Sequence, residues 1–253
     1  MLELATIEAA LHRLYIGAVG TSLRKEDRQK AREVTGFLGE IERALPARRS
    51  PLTLVDAASG KACLGLLAAE LLLGPRGQLG HVTLIERDRG QAARARLAAR
   101  TVIPDGSGCT VTEAEVGAAV WPTAPDLVVA LHACGPASDA IIDQAVASRA
   151  VRLMLVPCCT SRQVAATALA VRRADELGLP RHAEVRRQFV EAMVAAERTL
   201  RLEAAGYKTT VCAFVPPTVS RYHLLWRAQR VCEPARMRRA TAAWRRLHDL
   251  AIA

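Results

Sequence analysis

Aromatic side chains make up only 4% of this 253-residue chain, so its core has to be packed mainly from Ala, Leu and Val. Long apolar runs are missing as well. The longest, around residues 64–73, contains Glu70 and is too short to span a bilayer, so no membrane association is expected. The opening Met-Leu-Glu-Leu-Ala-Thr-Ile-Glu carries acidic residues where a secretory signal has basic ones. There is no internal repeat, no low-complexity linker and no charge run to mark a second domain. The seven cysteines follow no zinc-finger spacing. Being odd in number and without a signal, they predict free thiols, a reducing compartment and a cytoplasmic protein. Acidic residues are in deficit, 25 against 35 basic ones, for a net charge of +10. That excess either serves a polyanionic partner or reflects an Arg-rich composition alone. What remains is 51% hydrophobic and 24% charged, which excludes dominant disorder and suffices for one large domain with a full core.

Periodicity organises the chain. Residues 5–45 read as helix, because Leu11, Leu14 and Tyr15, then Val34, Phe37, Leu38 and Ile41, recur at helical spacing. Gly17, Gly20 and Ser22 divide this stretch in two. After Pro46 and Arg48-Arg49 the pattern changes to short apolar runs, predicted as strands over 52–56, 82–86, 111–116, 127–131 and 153–157. Helices are predicted over 61–73, 89–101 and 137–148, and two more over 161–205, broken near Gly178-Leu179-Pro180. Strands over 208–215 and 222–228, joined through Pro216-Pro217, suit an antiparallel pair, and a basic amphipathic helix covers 235–250. The expected fold is α/β, a Rossmann-like seven-stranded sheet, mostly parallel with an antiparallel last strand. The expected division is a helical extension over 1–49, the sheet domain over 50–232, and a C-terminal helix over 233–253 packed on it.

In an open α/β sheet, ligands bind beyond the carboxyl ends of the strands, where strand order reverses. The first strand ends in Asp56, and Ala57-Ala58-Ser59-Gly60-Lys61-Ala62 follows. Small residues there let the backbone approach a ligand, and helix-start amides can hold a carboxylate. Asp56, Ala58, Ser59, Gly60 and Lys61 are therefore expected to bind a cofactor. Glu86 ends the second strand, placed to accept hydrogen bonds from two ribose hydroxyls. Glu113 or Glu115, after the third, either meets an adenine amino group or is simply solvated. The fourth strand ends in His132-Ala133-Cys134-Gly135-Pro136-Ala137-Ser138-Asp139, and the fifth in Pro157-Cys158-Cys159-Thr160.

Together these segments resemble the methyltransferase family that groups tRNA 2′-O-methyltransferases with the glutathione-transferase-C-terminal-domain-containing and methyltransferase-like 25 proteins. That family shows an acidic-x-Gly-Ser/Ala-Gly-Lys-Gly loop, matched here by Asp56 to Ala62. It has a His-x-Cys-Gly-x-x-(Ser/Thr)-Asp segment, matched by His132 to Asp139, and a later Cys-Cys pair, matched by Cys158-Cys159. Its Lys-Lys-x-x-Glu-Val corresponds to Lys30-Ala31-Arg32-Glu33-Val34. The likeness covers about residues 28–230. Ala58 and Ala62 stand where the family has glycine, which puts the strength of cofactor binding in question. The resemblance implies a class I methyltransferase using S-adenosyl-L-methionine, with RNA as the favoured acceptor. A small-molecule acceptor, or a cofactor-binding scaffold without catalysis, are the alternatives.

His132 is the expected base for an acceptor hydroxyl or ring nitrogen. Asp139 either orients it or caps the next helix, and Cys134 completes the catalytic candidates. His132, Cys134, Cys158 and Cys159 are zinc-ligand types, but adjacent cysteines rarely share one ion, so no metal is expected. Packing is the preferred role for Cys158 and Cys159. His182, His223 and His248 lack partners nearby in sequence. Trp121, Trp226 and Trp244 are scattered, so no stacking platform is expected. Arg236, Arg238, Arg239, Arg245 and Arg246 either grip phosphates or form a solvated helix face.

Overall fold

The computed structural model describes residues 2–16, 21–47, 50–61, 63–104, 106, 108–158 and 163–249. Two helices come first, α1 (Leu4–Tyr15) and α2 (Lys25–Ala44). The alternating part then runs β1 (Leu52–Ala57), α3 (Cys63–Ala68, continuing into a π-helical turn over Ala69–Leu73), β2 (Leu79–Glu86), α4 (Arg89–Val102), β3 (Cys109–Glu113), β4 (Leu127–Ala133), α5 (Pro136–Ala147) and β5 (Arg152–Pro157). It closes with α6 (Ala165–Glu176), α7 (Glu184–Ala204), β6 (Tyr207–Ala213), β7 (Leu224–Arg230) and α8 (Pro234–Asp249). The strand order is β3-β2-β1-β4-β5-β7-β6. The pairings from β3 through β5 are parallel, and β7 runs antiparallel to β5 and β6. The sheet is therefore the Rossmann-like one expected, with the last strand inserted antiparallel beside β5.

One boundary differs from expectation for a physical reason, and one expected break finds its cause. β3 stops at Glu113 instead of continuing to Val116, because it is an edge strand whose only partner, β2, ends opposite it at Glu86. The break between α6 and α7 is a left-handed helix stop. Gly178 has φ +68°, and the Leu179 N–H reaches back to the Ala174 carbonyl at 2.9 Å. Gly17, Gly20, Arg48-Arg49, Ala62, Cys159 and Thr160 lie outside the described residues. Among the described residues no helix is long and apolar enough to cross a membrane.

The sheet is covered on both faces. Val129 and Leu131 of β4 pack with α1, α2 and α3 on one side, while Val128 and Ala130 pack with α5 and α7 on the other. With few aromatics available, those present occupy joints. Phe37 of α2 meets Phe214 edge-on at 5.8 Å. The Tyr207 hydroxyl, buried beneath α5, donates to the carbonyls of Ala145 and Ala150 at 3.0 and 2.8 Å.

α2 lies unusually close to the β6–β7 connection, and one residue permits it. A Cβ on Gly36 would fall 2.6 Å from both the Phe214 carbonyl oxygen and Val215 Cγ1. The Arg227 guanidinium of β7 then reaches Glu40 of α2 at 2.8 Å. Gly36→Ala is expected to cost about 1–3 kcal/mol, lowering the melting temperature by several degrees. Gly39→Ala, where nothing lies within 4 Å of the added carbon, is the control. It is expected to be neutral or to stabilise by up to roughly 1 kcal/mol through helix propensity.

Candidate active site

β1 pairs with β2 on one side and with β4 on the other, so strand order reverses there and the carboxyl ends of β1 and β4 flank a crevice. A cavity of about 420 Å³ opens in it. Asp56, Ala58, Ser59, Gly60, Lys61 and His132 all line this cavity. Glu86, Glu113, Cys134 and Asp139 do not. From the other side α1 lays Leu11, Tyr15 and Ile16 over the opening, held by an ion pair between Arg13 and Glu70.

The β1–α3 loop turns through two left-handed residues, Ala58 at φ +56° and Gly60 at +58°. Ala58 thus takes a glycine conformation without being glycine, at a cost of about 1–2 kcal/mol. Glu86 lies just outside the cavity because its carboxylate clamps the loop. One oxygen accepts the Gly60 N–H at 2.7 Å and the other the Asp88 N–H at 2.8 Å. A carboxylate has about four lone-pair sites, so two remain for a ligand.

Asp56 is 2% exposed and accepts the Gly65 N–H at 2.8 Å. The start of α3 can come this close only because residue 65 is glycine. A Cβ there would sit 2.8 Å from Asp56 Cβ and 2.9 Å from Leu84. Burial pushes the Asp56 carboxyl up to about 7, with the Gly65 N–H and Lys30 pulling down and Glu86 adding to the rise.

His132 is where the sheet becomes irregular. β4 and β5 stay in register to Leu131, then shift before Ala133, so His132 is an extra residue in a bulge, at φ +65°. A bulge re-aims a side chain, and left-handed non-glycine backbone of this kind gathers at functional sites. The imidazole Nε2 meets Glu33 Oε2 of α2 at 2.8 Å, with the Glu33 side chain 5% exposed. Burial works against the charge on Glu33. Hydrogen bonds from His132 and Ser220, and the nearby charges of His132 and Lys30, outweigh it and hold the carboxyl below its usual range. An ionised Glu33 can only accept, so Nε2 carries a proton, and it is the neutral form of the imidazole that leaves the lone pair on Nδ1. Nδ1 is buried without a partner among the described residues, as are Ser59 Oγ and Gln91 Oε1. Unpaired buried polar atoms are uncommon, and four, counting the Tyr15 hydroxyl, belong to residues lining this one cavity. They fit a polar ligand.

Several expectations need correction. Asp139 neither orients His132 nor caps α5. It lies on the opposite face of the sheet, where Arg198 grips it at 3.0 and 3.1 Å and Arg201 at 2.9 Å, and the cap position is Gly135, without a side-chain bond. Cys134 has no thiol to offer, because it forms a disulfide with Cys158, Cα atoms 5.2 Å apart. The expectation of free thiols therefore fails at this pair and holds for Cys63, Cys109, Cys212 and Cys232. Glu113 and Glu115 pair with Arg96 and Arg87 at 3.4 and 3.3 Å, outside the cavity. Sequence reasoning gave Glu33 no role. The available signal was its place on α2, a carboxylate beside Val34 and four residues before Phe37, on the face that is buried.

Over residues 29–166, more than half its length, the chain matches the family described as a methyltransferase domain. No curated protein matches it. Among solved structures it is similar to magnesium protoporphyrin IX methyltransferase from Synechocystis PCC 6803 with bound SAH. The identity is 15%, covering 89% of this chain and 95% of that one, with a TM-score of 0.52. It is also similar to a possible exported protein from Bordetella parapertussis, at 14% identity over 88% of this chain and 79% of that one, TM-score 0.50. At these identities the likeness is one of fold.

The raised Asp56 carboxyl has a measurable consequence. Between its ordinary value of 3.8 and about 7, the folded chain holds a proton that the unfolded chain has released. Its contribution to stability is therefore lost as pH rises through that window. Asp56→Asn keeps an acceptor for Gly65 and removes the ionisation. Its melting temperature relative to wild type is expected to rise from pH 5 to pH 8, by at most roughly 3 kcal/mol in stability terms, since the scan crosses about two pH units of the window. A difference that stays constant over that range contradicts the raised value.

Proposed function

The chain belongs to the methyltransferase-domain family, and on that premise we propose that it transfers the methyl group of S-adenosylmethionine to RNA. The observation that carries this is the crevice between β1 and β4, in which the glycine-type loop, the unpaired Ser59 and Gln91 oxygens and the bulged His132 line one cavity. Its volume lies in the roughly 300–1,000 Å³ range of small-molecule sites. Bound there, S-adenosylmethionine supplies an electrophilic methyl group for in-line displacement by the acceptor. The loop from Ala58 to Lys61 and the two remaining lone-pair sites of Glu86 hold the nucleoside end. α1 covers the opening and keeps bulk water out, which gives the helical extension over 1–49 its role. His132 Nδ1 takes the acceptor proton, and the imidazolium so formed is stabilised by Glu33, already ionised against Nε2.

Support for RNA comes from the net charge of +10 and from the α8 arginines. Arg238, Arg239, Arg245 and Arg246 are exposed, whereas Arg236 is held by Glu233 and Glu203. It comes too from the resemblance of the His132–Asp139 segment to the branch containing tRNA 2′-O-methyltransferases, the branch to which we assign the chain.

Calorimetry with S-adenosylhomocysteine is expected to show saturable binding. Heat indistinguishable from dilution at millimolar ligand defeats the cofactor assignment. His132→Ala is expected to slow methyl transfer about 10²–10⁴-fold with that binding nearly unchanged. Glu33→Gln is expected to lower turnover in the same direction and to shift the acidic limb of the pH–rate profile, which a purely structural role would leave in place. Label from the methyl-labelled cofactor is expected in the RNA fraction of a cell extract, and label confined to metabolites or protein rules out the RNA acceptor.

A further inference from the structure

A second and larger cavity, about 810 Å³, lies on the α7 side of the sheet and shares no lining residue with the first. It is bounded by Pro157 at the tip of β5, by Tyr222, Leu224 and Trp226 at the start of β7, and by Val194 of α7. Its position relative to the chemistry is set by one ring contact. The Tyr222 ring meets the His132 ring edge-on, centroids 6.1 Å apart. His132 lines the first cavity and Tyr222 the second, so the two cavities adjoin at this aromatic pair.

The lining is selective in charge as well as shape. Trp226 has its N–H satisfied by the Thr199 hydroxyl at 3.1 Å, so it needs no polar partner from a ligand. Three arginines border the cavity. Arg198 is neutralised by Asp139 at 3.0 Å, and Arg187 by Glu184 and Glu191. Arg221 has no acidic partner among the described residues. It lies 4.6 Å over the Tyr222 ring, exposed at the rim. A chamber walled by two aromatic rings and aliphatic side chains, with Gln188 and His223 also on its lining and one uncompensated guanidinium at its edge, suits a flat polar ring carrying an anionic group. Single-stranded RNA is recognised in this way, with bases against aromatic side chains and phosphates on arginine.

We propose that this cavity is the acceptor site, taking one nucleotide of a single-stranded RNA segment with its ring system against Tyr222 and Trp226 and its phosphate on Arg221. The proposal rests on the RNA methyltransferase reading and narrows it to a place. The exposed arginines of α8 are the competing surface, and the tryptophans separate the two, since Trp226 lines the cavity and Trp244 belongs to α8.

Titration of the full chain with short single-stranded oligoribonucleotides of each base, followed by tryptophan fluorescence, is the test. Saturable quenching by at least one oligonucleotide is expected, lost in Trp226→Phe and retained in Trp244→Phe. Arg221→Gln, a change at an exposed position, is expected to weaken binding about tenfold and to flatten the log–log salt dependence by about 0.7. Quenching that survives Trp226→Phe and disappears in Trp244→Phe puts the RNA on α8 and overturns the proposal. So does an affinity indifferent to Arg221→Gln, or the absence of quenching by every oligonucleotide. S-adenosylhomocysteine calorimetry on the same variants checks that they fold. It also separates the two readings, because failed cofactor binding beside Trp226-dependent quenching defeats the enzyme and leaves the RNA cavity standing.

Discussion

The reversal of strand order at β1 is the constraint on which the rest depends. Hydrogen bonding on both edges of β1 fixes β2 and β4 as its neighbours, and right-handed crossovers then send α3 and α5 to opposite faces. Neither crossover helix covers the gap this leaves at the carboxyl ends. The loop after β1 and the tip of β4 face each other across it, and α1 and α2, from before the sheet, close the third side. The place proposed for the methyltransferase chemistry is set by that geometry before any side chain is chosen.

Within the gap, two carboxylates show how packing sets protonation. Asp56 and Glu33 are both nearly sealed from water. Asp56 receives one backbone N–H and has Glu86 nearby, so burial prevails and its carboxyl rises to about 7. Glu33 receives His132 and Ser220 with Lys30 close by, so its partners prevail and it stays ionised. Environments that push two acids apart divide their roles. Asp56 stiffens the start of α3, and Glu33 polarises the imidazole.

Much of the fold could be read from the residue pattern because strands buried on both faces leave continuous apolar runs, and helices leave a 3.6-residue stripe. β1, β2, β4 and β5 were found within a few residues of their ends on that basis. The Asp56–Lys61 loop and His132 were legible because small residues and an acidic strand end are local signals. Asp139 misled because nearness in sequence to His132 says nothing about which face of the sheet a helix takes. Cys134 misled because the partner that consumes its thiol is 24 residues away. Trp226 looked scattered because β7 brings it beside β5 only after β6 is laid down.

The sequence alone therefore determined what is short-range: element type, strand tips, the turn chemistry after β1 and an excess of positive charge. Only the tertiary structure decided which groups meet. It set Glu33 against an imidazole 99 residues distant, turned His132 through a bulge onto the α2 side, and joined Arg221, Tyr222 and Trp226 around a chamber. The physical reason is that dihedral preference and apolar spacing act over a few residues, whereas a hydrogen bond between α2 and β4 exists only once the intervening strands have packed.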